Sequence, residues 1–257
     1  KIIKVWSKSL KYFLQILSRL IRDKPDVVHF QHEINTFGSP ITALVFPFLL
    51  IFLKVLKFKV VITVHGLPSL KDIDKDFISS FINGGFVSPL YFKLFFYFYY
   101  KFLSVIANKI IVHTDLIKKI FIDEYHAKKD KIEVISIGSL DLTDYEPKHE
   151  HFFFYMGYLV KRKGLDYVLD GFREFVKENR EKDFILRLAG GAIAGQEFAY
   201  NEILEKINSF EPDVKDKIKI LGFTDHKTVD TLYKNSYASI IPAKISIAAS
   251  GPLSWSL

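Results

Sequence analysis

Histidines close three apolar runs of strand length. His29 and His32 lie in Val27-Val28-His29-Phe30-Gln31-His32-Glu33, His65 follows Val60–Val64 ahead of Gly66, and His113 follows Ile110–Val112 ahead of Thr114. Imidazole donates, accepts or binds metal near neutral pH. Three such ends on one sheet edge point to contact with an acceptor hydroxyl or a phosphate, with His32, Glu33, His65 and His113 as candidates. A metal centre is the competing reading, but only Glu33 is near and the spacing matches no compact zinc pattern. No essential metal is therefore expected. For His29 and His113, ordinary turn positions remain open.

A second constellation runs from Phe152 through Met156-Gly157-Tyr158-Leu159-Val160-Lys161-Arg162-Lys163-Gly164-Leu165. A glycine at each end of a short basic turn leading into a helix makes an anion cradle. Backbone N–H groups at the helix start and the ammonium of Lys163 converge on a phosphate. The turn is neither a Walker A loop nor a dinucleotide fingerprint. Further on, Gly190-Gly191 ends one strand, Gly222-Phe223 the next, and Pro242 follows the last. Paired glycines allow close backbone approach. Ser250-Gly251-Pro252 then reads as an N-cap with proline in the first turn of a helix.

These residues need a frame that brings strand ends together. Candidate strands are Val27–Gln31, Val60–Val64, Lys109–His113, Ile132–Ser136, Phe152–Met156, Phe184–Ala189, Ile218–Leu221 and Ala238–Ile241. Most are continuous apolar runs, as in parallel strands buried on both faces. Helical patterns lie between them. Gly164–Asn179 is the clearest, with Leu165, Val168, Leu169, Phe172, Phe175 and Val176 at three- and four-residue spacing. Repeated βα units predict an α/β protein of doubly wound parallel sheets. The polar stretch Asp141–His151 divides four strands from four, so two Rossmann-like domains are expected, residues 1–146 and 147–257. Ligands are then expected beyond the carboxyl ends of the strands, between the two domains.

Composition narrows the classes further. The 257 residues are 49% hydrophobic and 25% charged, which excludes disorder, collagen and coiled coil. There is no cysteine, hence no disulfide framework, thiolate metal site or cysteine nucleophile. The chain carries 25 Phe and 13 Tyr, and its net charge of +7 is uneven. Residues 1–101 hold 14 basic against 6 acidic groups, and residues 151–257 hold 15 against 14. A basic, aromatic front half fits an anionic partner or a solvated lysine face. Ile41–Leu56 is short for a membrane span and contains Pro47 and Lys54, so it reads as a buried crossover helix. Phe86–Phe102 has ten aromatics in 17 residues with Lys93 and Lys101 and no acid. It reads either as a core helix or as a segment lying in a membrane interface. The aromatics cluster in apolar runs, which argues against nucleic acid. The chain starts at Lys1 within a helical pattern and stops at Leu257 within an apolar one, and is read as a piece of a longer polypeptide.

The series VVHFQHE, VITVHG, ANKIIVHT, IEVISIGS, FYMGYLVKRKGLDYVLDGF, LRLAGG, IKILGFTDHKTVDTLYKNS and IIPA…SGPL resembles glycosyltransferase family 4 in order and spacing. The resemblance spans nearly the whole chain. It implies the GT-B fold, with acceptor in the first domain and nucleotide-sugar donor in the second, both incomplete here. It implies transfer of a sugar from a nucleotide diphosphate sugar with retained anomeric configuration and no cofactor or essential metal.

By position, the resemblance makes Lys163 the lysine on the donor diphosphate, with Gly157 and Gly164 around it. His65 is placed near the transferred sugar as the catalytic-site histidine. Gly190, Gly191, Gly222 and Phe223 are placed near the nucleotide, and Ser250 and Gly251 near sugar and phosphates. Two departures stand out. The family's arginine after the first turn glycine is Tyr158 here, leaving Lys161 or Arg162 to substitute, and Arg162 has the better geometry for a diphosphate. The family's glutamate pair is absent, its places falling near Ala248 and on Trp255 or Ser256. The expected activity is transfer to a glycan or lipid-linked acceptor, by a cytoplasmic protein that is free or peripheral on the inner membrane face. A silent GT-B binding protein and a nucleotide-sugar epimerase-like enzyme are the alternatives.

Overall fold

The computed structural model describes residues 3–34, 36–38, 40–79, 88–138, 148–193, 197–243 and 250–256, excepting the side chains of residues 40, 41, 76, 79 and 162. The chain divides into two units at Ile137 and Gly138. The linker expected over 141–151 falls mainly on 141–147, outside the described residues, as do Phe86 and Val87 of the aromatic segment and Ala248.

Unit one runs α1 (Tyr12–Asp23), β1 (Val27–His32), α2 (Pro40–Val55), β2 (Lys59–Val64), α3 (Lys75–Ser79), α4 (Pro89–Ile106), β3 (Lys109–Val112), α5 (Asp115–Asp123) and β4 (Ile132–Val134). The four strands pair in parallel in chain order, with Phe30 opposite Ile62, Ile62 opposite Ile110, and Ile110 opposite Ile132. Right-handed crossovers that always step the same way put α2, α4 and α5 on one face. β1 accordingly alternates. Val28, Phe30 and His32 face the core, while Val27, His29 and Gln31 face outward. Expected burial of both faces therefore holds poorly for this strand.

Unit two runs β5 (Glu150–Met156), a 3₁₀ turn (Lys161–Lys163), α6 (Leu165–Glu178), β6 (Ile185–Ala189), α7 (Glu197–Asn208), α8 (Pro212–Lys215), β7 (Ile218–Gly222), α9 (His226–Asn235), β8 (Ser236–Ser239) and α10 (Gly251–Ser256). The parallel order is β7-β6-β5-β8. After β7 the chain returns to the other side of β5, which creates a switch point between β5 and β8. Both faces are covered. Leu165, Leu169 and Phe172 of α6 and Ile203 of α7 pack with Leu186 and Leu188 on one side, and Leu232 of α9 packs with Phe152 and Phe154 on the other.

All eight expected strands exist. The last is shifted, because α9 ends directly into Ser236 and the ladder to β5 starts there, leaving Ile241 and Pro242 as loop. The expected buried helix over 41–56 forms as α2 but is only half buried. Two helix starts follow from their caps: Thr114 accepts from Ile117 N–H, and Asp225 accepts from Thr228 N–H.

Candidate functional site

In unit one, the parallel register carries His29, Gln31, His65 and His113 to the carboxyl ends of β1, β2 and β3. The His65 N–H donates to the His32 carbonyl at 2.9 Å, extending the β1–β2 ladder by one residue. The side chains form a connected line. His29 Nε2 lies 2.7 Å from Thr63 Oγ1 and 3.3 Å from the Gln31 amide nitrogen. His65 Nε2 lies 2.6 Å from Gln31 Oε1, and His65 Nδ1 lies 3.2 Å from His113 Nε2.

Counting protons along this line separates two states. The Ile135 carbonyl accepts from His113 Nδ1 at 2.8 Å. With the Gln31 oxygen toward His65, His65 Nε2 donates as well, and the contact between the rings needs a third proton. The pair is then a cation. Turning the Gln31 amide over presents N–H to His65 Nε2 and leaves two neutral rings, each protonated on Nδ1. Burial holds His65 below the usual imidazole range, and the neighbouring His113 and His29 add to this against the pull of Glu33. The neutral arrangement is therefore favoured near neutral pH.

The loop after His65 is clamped from below. Tyr100 donates to the Gly66 carbonyl at 2.8 Å and Tyr125 to the Pro68 carbonyl at 2.6 Å. The Glu124 carboxylate accepts from Leu70 N–H at 2.6 Å and from the Ser69 hydroxyl at 2.9 Å. Burial pushes both phenols far above the ordinary tyrosine range, so they stay protonated donors. Sequence reading missed these three supports, although the run Tyr97–Tyr100 carried a signal: a buried tyrosine needs a partner for its hydroxyl.

His32 stands apart from its neighbours. It is 1% exposed, lies with Nε2 2.9 Å from Tyr99 Oη, and stacks on Phe46. Its Nδ1 has no partner among the described residues. Burial lowers it to about 3, so it is neutral. His29 and His32 are three apart in a strand, hence on opposite faces. Glu33 is exposed beyond the strand end.

In unit two, backbone crowding builds the site. The Gly157 N–H donates to the Ala189 carbonyl, Leu159 N–H to Gly191, and Gly190 N–H to Gly222, tying together the ends of β5, β6 and β7. Gly190 has φ +137°, and a Cβ there would sit inside the Gly157 carbonyl. Gly164 has φ +78°, and a Cβ there would collide with the Pro242 carbonyl beyond β8. Gly164, the residue before α6, brings no side chain to cap the helix, Asp166 lies in the first turn, and Lys163 is exposed one residue before Gly164. Of the two residues expected to replace the arginine, Lys161 lies 3.0 Å from Glu202 in an exposed ion pair, and the Arg162 side chain lies outside the description.

Gly222 has φ +70° with open space around it. Phe223 is 72% exposed, lies over Gly191, and meets the exposed Tyr158 ring at 6.2 Å. Ser250 caps α10 as expected, its Oγ accepting from Leu253 N–H at 3.2 Å. Trp255, which with Ser256 marks the place expected for the second glutamate, packs 5.5 Å from His226 and 6.2 Å from Tyr233. Among the described residues no group of three His, Asp or Glu side chains is placed to hold a metal ion.

The family described as Glycosyltransferase Family 4 matches residues 2–138, more than half of the chain. The chain belongs to glycosyltransferase family 4. Residues 144–253 of this family 4 chain match the group described as Glycosyl transferases group 1. Among solved structures, it is similar to a sucrose-phosphate synthase from Thermosynechococcus elongatus, at TM-score 0.66 and 13% identity over 92% of this chain and 55% of that one. A UDP-forming trehalose-phosphate synthase from Burkholderia xenovorans superposes at TM-score 0.61 with 14% identity, covering 90% and 55%. The pneumococcal O-GlcNAc transferase solved with UDP and GlcNAc follows at 0.53 and 15%, covering 76% and 35%. These likenesses establish the GT-B fold class. The chain spans about half the length of the first two structures. No curated protein matches it.

Proposed function

We propose that this family 4 chain takes part in transfer of a sugar from a nucleotide diphosphate sugar to a glycan or lipid-linked acceptor, with retained anomeric configuration, at the cytoplasmic face of a membrane. The observation that carries the reading is the glycine-closed end of the second sheet. Gly157, Gly164 and Gly190 let backbone approach backbone, and α6 starts at Leu165 directly after Lys163 and Gly164. Such an end suits a diphosphate, whose charge grows as the sugar departs. Lys163 and Arg162 would meet that charge. Tyr158 and Phe223 offer ring faces to the nucleotide. His65, held from below by Tyr100 and Tyr125, would position the sugar or the acceptor hydroxyl. In a front-face displacement the bond from the sugar to the leaving phosphate breaks as the acceptor oxygen bonds on the same side. The leaving phosphate oxygen takes the acceptor proton, so neither a metal nor a protein nucleophile is required.

One observation favours a second reading, a silent GT-B binding protein. The resemblance puts a family glutamate on Trp255 or Ser256, neither of which is acidic, and Trp255 packs against His226 and Tyr233. Calorimetry on the full-length protein with UDP, GDP and their sugars separates the readings. The transferase is expected to bind one nucleotide and its sugar, with Lys163→Ala weakening both, and to turn over when acceptor is added. Binding without turnover supports the second reading, and no binding at all overturns the first.

A further inference from the structure

The surface of unit one carries apolar side chains in three helical stripes. On α2 the exposed residues are Leu44, Phe48, Ile51, Phe52 and Val55, spaced four, three, one and three apart along a single face. On α4 they are Leu90, Leu94, Phe98, Phe102 and Val105, again one face. On α1 and just before it they are Leu10, Leu14 and Ile21. Each helix has a second, buried face against the core. Phe48 is 57% and Phe98 63% exposed.

The helices adjoin. α1 packs on α2, where the Phe13 and Phe52 rings meet edge-on at 5.4 Å. α2 packs on α4, where Lys54 Nζ donates to the Ile106 carbonyl at 3.3 Å. Three packed helices that each expose an apolar stripe are unusual on a soluble monomer.

Charge selects the occupant. α2 and α4 contain no acidic residue, and α1 has only Asp23, which is paired with Arg19. Lys8, Lys11, Lys57 and Lys93 lie on or beside the three helices, and none is ion-paired with a carboxylate among the described residues. A second copy would set lysines against lysines, which is repulsive. A bilayer with anionic headgroups satisfies both features: stripes enter the acyl boundary, and lysines reach back to the headgroups. No described helix is long and apolar enough to cross a membrane. α4, at 18 residues, is about 27 Å long and would lie in the interface plane.

We infer that the outer faces of α1, α2 and α4 form one docking surface for an anionic lipid bilayer. This extends the membrane setting of the proposed function from one aromatic segment to a three-helix face. It rests on that reading only for its orientation.

The test is co-sedimentation of the full-length protein with vesicles of phosphatidylcholine alone or mixed with phosphatidylglycerol. Wild type is expected on the mixed vesicles, with binding falling as salt rises. The triple variant Phe48→Ser/Phe52→Ser/Phe98→Ser should lose about tenfold in partitioning. Lys11→Glu/Lys57→Glu should lose the preference for anionic lipid. Far-UV circular dichroism checks that both variants are folded, and leucine in place of serine should restore binding. Equal binding to both vesicle types, or wild-type binding by the triple variant, overturns the inference. So does self-association in lipid-free solution that the triple variant abolishes, which would assign the face to a second copy. Donor titration in parallel keeps the two proposals apart: lost nucleotide binding with intact vesicle binding counts against the transferase alone.

Discussion

Unit one lays its strands down in chain order, and its crossover helices fall on one face. Unit two turns back after β7, and helices cover both faces. The candidate sites differ in the same way. In unit two, glycine carbonyls and N–H groups fix the strand ends, so the site is a backbone construction with few side chains. In unit one, strand ends are decorated by imidazoles and an amide, and large aromatics hold the following loop. Backbone crowding is intolerant of any added atom, whereas a side-chain network can change proton count or amide orientation and survive. Unit one is thus adaptable in its protonation, and unit two is rigid in its shape.

Substitutions can break that contrast one unit at a time. Trp6 lies in unit one and Trp255 in unit two, so tryptophan-to-phenylalanine variants give each unit its own fluorescence report. The largest effect is expected from Gly190→Ala, which puts a Cβ into the Gly157 carbonyl at a backbone angle that L residues avoid. A loss of about 4 kcal/mol or more is expected from unit two. Denaturant unfolding followed at Trp255 should show it, with the Trp6 transition unmoved.

The next effect belongs to unit one and to acid. His32 is neutral in the fold down to about 3. The unfolded chain takes up that proton below about 6.5, while the folded chain refuses it. Stability therefore rises with pH between about 3 and 6.5 and is lost as pH falls through that window, on the order of 4 kcal/mol in all. His32→Phe should flatten the acid side of the Trp6 melting profile. An unchanged slope would mean that another group governs acid unfolding.

Lys163→Ala should leave the melting profile nearly unchanged and weaken nucleotide diphosphate binding by roughly 10- to 100-fold. Equal losses of stability and binding would make the lysine structural. A smaller effect is expected at His113. His113→Phe removes the acceptor for His65 Nδ1–H, so the His65 imidazole should change its tautomer balance in nitrogen-15 spectra. Gly222→Ala should cost only about 1 kcal/mol. It has positive φ but open space around it, which isolates backbone conformation from the crowding seen at Gly190.

Much of the frame could be read in advance. Apolar runs located every strand, because buried parallel strands must be apolar whatever they pack against. Ser250 marked a helix start, because an N-cap is satisfied within four residues, whereas the caps Thr114 and Asp225 came only with the structure. Gly157, Gly164 and Gly190 were singled out as turn and strand-end glycines. The half burial of α2 was not legible, because a helix that is apolar all round carries no mark of which face turns inward. His32 was grouped with His65 and His113 as a strand-end histidine, although the two-residue period of a strand separates it from His29.

The sequence by itself thus determined the elements, their parallel order within βα units, and the family, since these depend on local period and on short motifs in register. Only the tertiary structure decided which atoms meet. It set Gly190 against Gly157 and Gly164 against Pro242, joined His65 to His113 and Gln31, diverted Lys161 to Glu202, and turned three apolar stripes outward. Those outcomes rest on contacts between residues far apart in the chain, and no local pattern encodes the register or helix rotation that produces them.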